Sequence, residues 1–284
     1  MSKNKPLRLI VVFSMLMALV VIRWQTIAEQ PAITYFPESH APLFKYYKTR
    51  LRLEMRTSKL DWTTCSSLLR PVYLLQNFSL LYHNNRLIEI SNAWKNGAKQ
   101  LTKQKIMDAD SGYFQAMTIH QAEIHQQETI YGKETVSSAQ LFIRAKQPHF
   151  HAFDRPVTTD DKRFAAATIF HLNQQQHVLL EQAAKQYNLP IARYKLLTLA
   201  DLADTPAEDV FPGHPRDAER ISGQLWEGLY KTVINGFQMG ENQYEPAIGS
   251  TLPILLIGSD DLFIVTEAAS GHIVVLKQQF SRNR

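Results

Sequence analysis

The only long apolar run in the sequence is Leu9 to Ile22, fourteen residues without a charge. Such a run crosses a bilayer, is removed as a signal peptide, or is buried in a core. Lys3, Lys5 and Arg8 precede it, and after Arg23 no Lys or Arg occurs before Lys45. Positive charge retained in the cytoplasm orients such a segment N-terminus in and C-terminus out. A helix rises about 1.5 Å per residue, so fourteen residues cover about 21 Å of a hydrocarbon core roughly 30 Å thick. With Arg23 snorkelling and Trp24 at the interface, Leu7 to Ala28 reaches across. The expectation is a cytoplasmic tail over 1–8, a membrane anchor over 9–28, a stalk over 29–43 that holds Pro31, Pro37 and Pro42, and an extracytoplasmic domain over 44–284. Lobes of that domain are expected at 44–155 and 160–284. This makes a single-pass cell-membrane protein with its C-terminus outside. The alternative is cleavage near Ala28, with Thr26 and Ala28 as the small residues of the cut, and secretion.

Charge narrows the partners. The formal net charge is +5, from 31 basic and 26 acidic residues. Four of the basic residues are Lys3, Lys5, Arg8 and Arg23, so the remainder is near neutral and carries no electrostatic footprint for nucleic acid. The single cysteine, Cys65, excludes an internal disulfide framework and reads as a small buried hydrophobe.

Periodicity divides the chain in two. In Thr49 to Arg56, Leu51, Leu53 and Met55 alternate with charged residues, the pattern of a half-buried strand. Val72 to Ile90 reads as a strand pair turning at Asn84-Asn85, because asparagine tolerates positive φ. Ser91 to Lys105 is polar and is expected as a short surface helix. Tyr113 to Ile143 is the most strand-like region, with Phe114, Ala116, Thr118, His120, Ala122 and Ile124 on one face. Phe164 to Leu199 is expected as a β-α-β unit, although one helix from Asp160 to Tyr187 fits nearly as well. Pro215 opens the clearest helix, in which Ile221, Leu225, Leu229 and Val233 form an apolar stripe joined by Trp226, Tyr230 and Phe237. Three strands at Leu252–Leu256, Leu262–Thr266 and His272–Lys277 close the chain as a meander. The expected fold class is α+β: an N-terminal single membrane helix, then a mostly antiparallel mixed sheet with two or three packed helices.

Motifs for chemistry are sparse. His149 and His151 lie two apart and point the same way on a strand, so they are weak metal candidates, but nothing local closes a site and no metal is expected. Asp108, Asp110 and Gly112 begin like a calcium loop, but Ile119 stands where a bidentate Glu is needed. The Gly-x-Ser-x-Gly elbow and the phosphate-binding glycine patterns do not occur. Asp260 and Asp261, adjacent in a tight turn, point apart rather than forming a carboxylate pair. The remaining unusual stretch is Tyr244 to Pro253, stiffened by Pro246, Gly249 and Pro253, where Tyr244, Ser250 and Thr251 offer polar contacts to a ligand or partner. The expected function is non-enzymatic: a membrane-anchored domain that binds an envelope protein or ligand in a regulatory or structural role, with no cofactor and no nucleic acid. The alternative is an exported hydrolase or metal-dependent enzyme.

Overall fold

One strand organises the computed structural model, which describes residues 33–37, 43–146, 149–240 and 243–280. β2 (Lys59–His83) runs for 25 residues. β3 (Arg86–Asp108) lies antiparallel along it, from Lys59↔Asp108 to His83↔Arg86. The turn between them places Asn84 and Asn85 at φ of 49° and 62°, the left-handed region that asparagine tolerates. On its other edge β2 changes neighbour. Lys59 to Leu68 pair with β1 (Phe44–Glu54), and Leu74 to His83 pair with β4 (Gly112–Gln126). The register shifts between Ser67 and Val72. Pro71 sits in that gap, where a residue without an N–H breaks no ladder bond. β5 (Thr129–Lys146) and β6 (His149–Phe153) extend the sheet in the order β1-β2-β4-β5-β6. Because β1 and β4 share one edge of β2, the sheet curls into a half-barrel. The curl brings β1 against β5, where Thr49 Oγ1 lies 2.7 Å from Ser137 Oγ.

Along the first half of β2, Leu60, Trp62, Thr64, Ser66 and Leu68 are buried inside the curl, and the residues between them are partly open. From Leu74 to Tyr82 every residue is buried. There the outer face is covered by the C-terminal half, and Phe78, Leu80, Tyr82, Met117 and Ile119 join its core.

That half begins with α1 (Thr159–Tyr187). A capping box between Thr158 and Asp161 starts it, and Asn188, in the left-handed conformation, ends it. β7 (Lys195–Thr198), α2 (Leu199–Asp204) and α3 (Ala207–Val210) follow, then α4 (Ala218–Leu229), which runs into a π-helical turn over Tyr230–Ile234. β8 (Phe237–Gly240) and β9 (Gln243–Glu245) form a small hairpin. β10 (Ile254–Ile257), β11 (Asp261–Glu267) and β12 (Ile273–Gln279) make an antiparallel meander, and β7 adds to it in the order β12-β11-β10-β7. α4 packs Ile221, Leu225 and Leu229 into the main core against β2, β4 and this second sheet.

Leu229 is 1% exposed. Leu229→Ala is expected to cost about 2–5 kcal/mol, the range for a leucine removed from a packed core. Lys231→Ala removes only a solvent-exposed pair with Glu227, worth under about 1 kcal/mol. Thermal unfolding of the two variants checks this, and equal melting temperatures for wild type and Leu229→Ala would show that the α4 face is not core.

Three expectations are corrected. The fold is not α+β: it is mostly β, with 53% strand and 24% helix. The polar stretch Ser91–Lys105 is the middle of β3 rather than a surface helix, because its backbone is fixed by pairing along β2 instead of by an apolar stripe of its own. The single-pass membrane topology, and the localisation and membrane contact drawn from it, find no support. Among the described residues no helix is long and apolar enough to cross a membrane, a finding that says nothing of a β-barrel. Residues 1–32, which hold the expected anchor and the alternative cleavage point, lie outside the described residues. Two smaller differences follow from tertiary packing. Phe164–Phe170 belongs to α1 rather than to a strand, so the single-helix alternative holds. The helix expected to continue to Gly240 leaves α geometry after Leu229, and Phe237 lies in β8.

Candidate ligand-binding cleft

Within the stretch expected as a stalk, Ile33 to Pro37 is laid between the half-barrel and α4. Ile33 is fully buried in the main core. The backbone N–H of Tyr35 donates to Glu227 Oε2 of α4 at 3.2 Å. Thr34 O accepts from Gln121 Nε2 of β4 at 2.6 Å. Pro37 O accepts from the N–H of Gly132 in β5 at 3.0 Å. Two glycines make room for the segment. A methyl group on Gly223 would collide with the Tyr35 ring, and one on Gly132 would come within 3.1 Å of Phe36 Cβ. Gly223 weakens the middle of α4 by roughly 1 kcal/mol relative to alanine, and the close approach of the aromatic ring accounts for its presence.

The segment forms one wall of a cleft of about 340 Å³, bounded by β5, α4 and the loop that joins α2 to α3. Tyr35, Phe36, Tyr47 and Trp226 give it aromatic surface, and Glu134, Glu219 and Ser222 give it polar groups. Among the described residues that line it there is no Lys, Arg or His. Glu134 is the unusual group. Its Oε1 accepts from Gln121 Nε2 at 3.2 Å, while Oε2 is shielded from solvent and has no hydrogen-bond partner. Burial, reinforced by Glu227 and Glu219 nearby, pushes its carboxyl up to about 8. At neutral pH it holds a proton. Burial also raises the Tyr35 phenol.

A second polar cluster lies inside the half-barrel. His120 is fully buried. Its Nδ1 lies 2.7 Å from Ser66 Oγ and 3.1 Å from Asn77 Oδ1, and its Nε2 lies 2.8 Å from Ser137 Oγ. Ser137 continues to Thr49, Thr49 to Thr118 at 2.6 Å, and Thr118 to Ser79 at 2.9 Å. Apolar residues close this belt on both sides: Trp62, Phe114 and Ile143 among others on one, Leu68, Leu75 and Ile124 on the other. Burial lowers the imidazole to about 3. The ring is therefore neutral, with one nitrogen donating and the other accepting. A serine beside a histidine and an amide has the composition of a nucleophile and its base, but among the described residues it is enclosed by apolar side chains and its hydroxyls bond one another. Its role is to satisfy the polar groups that the curl buries.

The sequence-derived candidates fall elsewhere. Tyr244 lies on β9, 69% exposed. Ser250 is buried, and its backbone N–H and C=O are both used, the carbonyl accepting from Leu87 N–H at 2.8 Å. The segment through Thr251 and Leu252 joins the two sheets by bonding Asn85, Leu87 and Glu267. Thr251 alone of the three lines a cleft, a second one of about 340 Å³ facing Gln174, Gln175 and Gln182 of α1. His151 Nε2 sits 3.0 Å from Asp161 Oδ1, tying β6 to the start of α1. His149 lies on β6, and its side chain is outside the described residues, as is that of Val233. Asp261 bonds Tyr194 and Lys277, which fixes it structurally. Among the described residues no three His, Cys, Asp or Glu side chains gather as a metal site. Sequence reasoning misses Glu134, Glu219, Tyr35 and Trp226 as site residues. The one local signal is two adjacent aromatics, Tyr35-Phe36, in a proline-rich stretch that otherwise reads as linker. The sequence matches no protein-family model, and no curated protein matches it.

Proposed function

We propose that the chain is a non-enzymatic binding domain whose ligand occupies the cleft between β5, α4 and the Ile33–Pro37 segment. The observation that carries this reading is Glu134, whose Oε2 lies buried and unpartnered in the wall of an aromatic cleft. A buried polar atom without a partner costs about 1–3 kcal/mol, which a ligand group bonded to it recovers on binding. The volume suits a small molecule, and aromatic walls with a few convergent polar groups are the usual make-up of such sites.

The test is a fragment panel observed by ligand-detected NMR on wild type and on Ser222→Trp, which fills the cleft from α4. Fragments should bind the wild type and lose binding in the variant, with the melting temperature of the variant kept near wild type. Binding that persists unchanged in Ser222→Trp places the ligand elsewhere and overturns the reading.

One observation favours a second reading, acid–base hydrolysis. A buried carboxyl raised to about 8 at Glu134, with the carboxyl groups of Glu219 and Glu227 nearby, is an arrangement that such chemistry uses. Under that reading a hydrolysable substrate is turned over by wild type and Glu134→Gln abolishes turnover. Under the binding reading, neither protein turns it over.

A further inference from the structure

We infer that the ligand of this cleft is an organic cation, an amine carrying an aromatic or aliphatic body, held with its ammonium toward Glu134 and Glu219 and its body against Trp226 and Tyr35. The inference rests on the cleft being the binding site and adds the chemical class of its occupant.

Three features of the lining point this way. The first is the sign of the charge. Glu134 and Glu219 line the cleft without a basic side chain among the described lining residues, and Glu219 makes no ion pair among those residues. The nearby Glu227 is already used, bonding Lys231 through Oε1 and the Tyr35 backbone through Oε2. Arg220, a guanidinium close to Tyr35, pairs with Asp217 at 3.2 Å and bonds Gln224 at 3.1 Å, although its Nη2 is buried without a hydrogen-bond partner. At neutral pH Glu134 holds its proton, so the charge at the cleft comes from Glu219, and a cation that also draws the proton from Glu134 meets two carboxylates. The second feature is the aromatic surface. Tyr35, Phe36, Tyr47 and Trp226 all border the space, and a cation leaving water is stabilised by ring faces, tryptophan best. The third is the acceptor. Glu134 Oε2 has no hydrogen-bond partner, and once the carboxyl gives up its proton and turns toward the cleft an ammonium N–H supplies one.

An inorganic dication meets these features less well. Calcium takes six to eight oxygen ligands and magnesium a near-octahedral set, whereas the cleft offers two carboxyls among aromatic rings. Binding of an ammonium also draws the proton from Glu134, which shares the site with Glu219, Glu227 and the neutral Tyr35 phenol. Affinity accordingly rises as pH rises toward about 8, where Glu134 of the free chain is half ionised, and levels off above that value.

The experiment is isothermal titration calorimetry of the full chain with benzylamine, benzyl alcohol and benzoate, three probes of nearly one shape that differ in charge. Benzylamine is expected to bind at least about tenfold tighter than benzyl alcohol, and benzoate weakest. At pH 7, heats in buffers of different ionisation enthalpy should show proton release on benzylamine binding. The Glu134→Gln, Glu219→Gln double variant, compared at matched folded fraction, should lose the preference for benzylamine over benzyl alcohol. Equal affinities for the three probes overturn the cation class while leaving a ligand cleft in place. Tighter binding of benzoate overturns it too, as does displacement of benzylamine by calcium chloride at equal concentration. If none of the three binds, the cation class fails, and the fragment panel with Ser222→Trp then decides whether the cleft binds anything.

Discussion

Replacing His120 with leucine is expected to destabilise the chain by about 2–3 kcal/mol, since it removes three buried polar contacts and a typical hydrogen bond contributes about 1 kcal/mol net. The ring bridges Ser66 and Ser137 and lies within 3.1 Å of Asn77. Leucine fills similar space, but each of the three loses one partner: Ser66 and Asn77 keep their bond to each other, and Ser137 keeps Thr49. The compensating variant is His120→Leu with Ser66→Ala, Asn77→Leu and Ser137→Ala, in which the polar groups that face the ring are removed with it and Thr49 keeps its bond to Thr118. It should recover most of the loss, because removing a buried polar set together is close to neutral. Urea denaturation of the single and the combined variants separates this account from simple overpacking, which the combined variant would not relieve.

The same histidine sets an acid limb of stability. Its folded value is lowered from 6.5 to about 3. Below 6.5 the unfolded chain takes a proton that the folded chain refuses, so stability is complete above 6.5 and is lost as pH falls toward 3. In the combined variant that limb should flatten. The readout is the urea midpoint measured from pH 7 down to pH 4.

Glu134 produces the opposite slope, and Glu134→Gln is the second large effect. Its folded value is raised from 4.5 to about 8. Between those values the folded chain holds a proton that the unfolded chain has released, so stability falls as pH rises through the window and levels off above about 8. A shift of this size corresponds to at most about 5 kcal/mol, and because the side chain is only partly buried, a gain of about 2–3 kcal/mol is the expected magnitude for glutamine at pH 8. The introduced amide keeps an oxygen to accept from Gln121 and adds an N–H toward the carboxylates of α4. The variant should match wild type near pH 5 and exceed it at pH 8. Identical pH profiles for the two proteins would show that Glu134 is ionised and solvated in the folded chain.

The parts of the fold that could be read from sequence are those whose signals are local. The Asn84-Asn85 turn needed only the tolerance of asparagine for positive φ. The terminal meander and the body of α4 followed from short apolar runs and a helical stripe, although the helix starts at Ala218 and Pro215 lies in the turn before it. β3 was missed because its partner supplies its order. Between Ile88 and Gln100 its residues are half-buried or exposed, so no alternation marks them as strand. The interior of the half-barrel misleads in another way. Thr64, Ser66, Asn77, Ser79, Thr118 and His120 point inward although polar, and hydrophobic periodicity has no means of anticipating a buried hydrogen-bonded belt.

The cleft was hidden for a related reason. Tyr35 and Glu227 are 192 residues apart in sequence, and neither carries a motif. Gly132 and Gly223, which admit Phe36 and Tyr35, look in sequence like a turn and a helix defect. The loop chosen instead, around Tyr244, Ser250 and Thr251, has the composition of a binding loop but spends its backbone bonds on holding the two sheets together. A stiff, proline-bounded connector and a stiff ligand loop share the same sequence signature.

The most direct test of the central claim is the position of a bound ligand in a crystal structure of the chain grown with the tightest fragment from the panel. The account predicts the fragment between Trp226 and Tyr35, with a polar atom within hydrogen-bond distance of Glu134 Oε2. A fragment found instead between α1 and Thr251, with the space beside Glu134 filled by solvent, would contradict it.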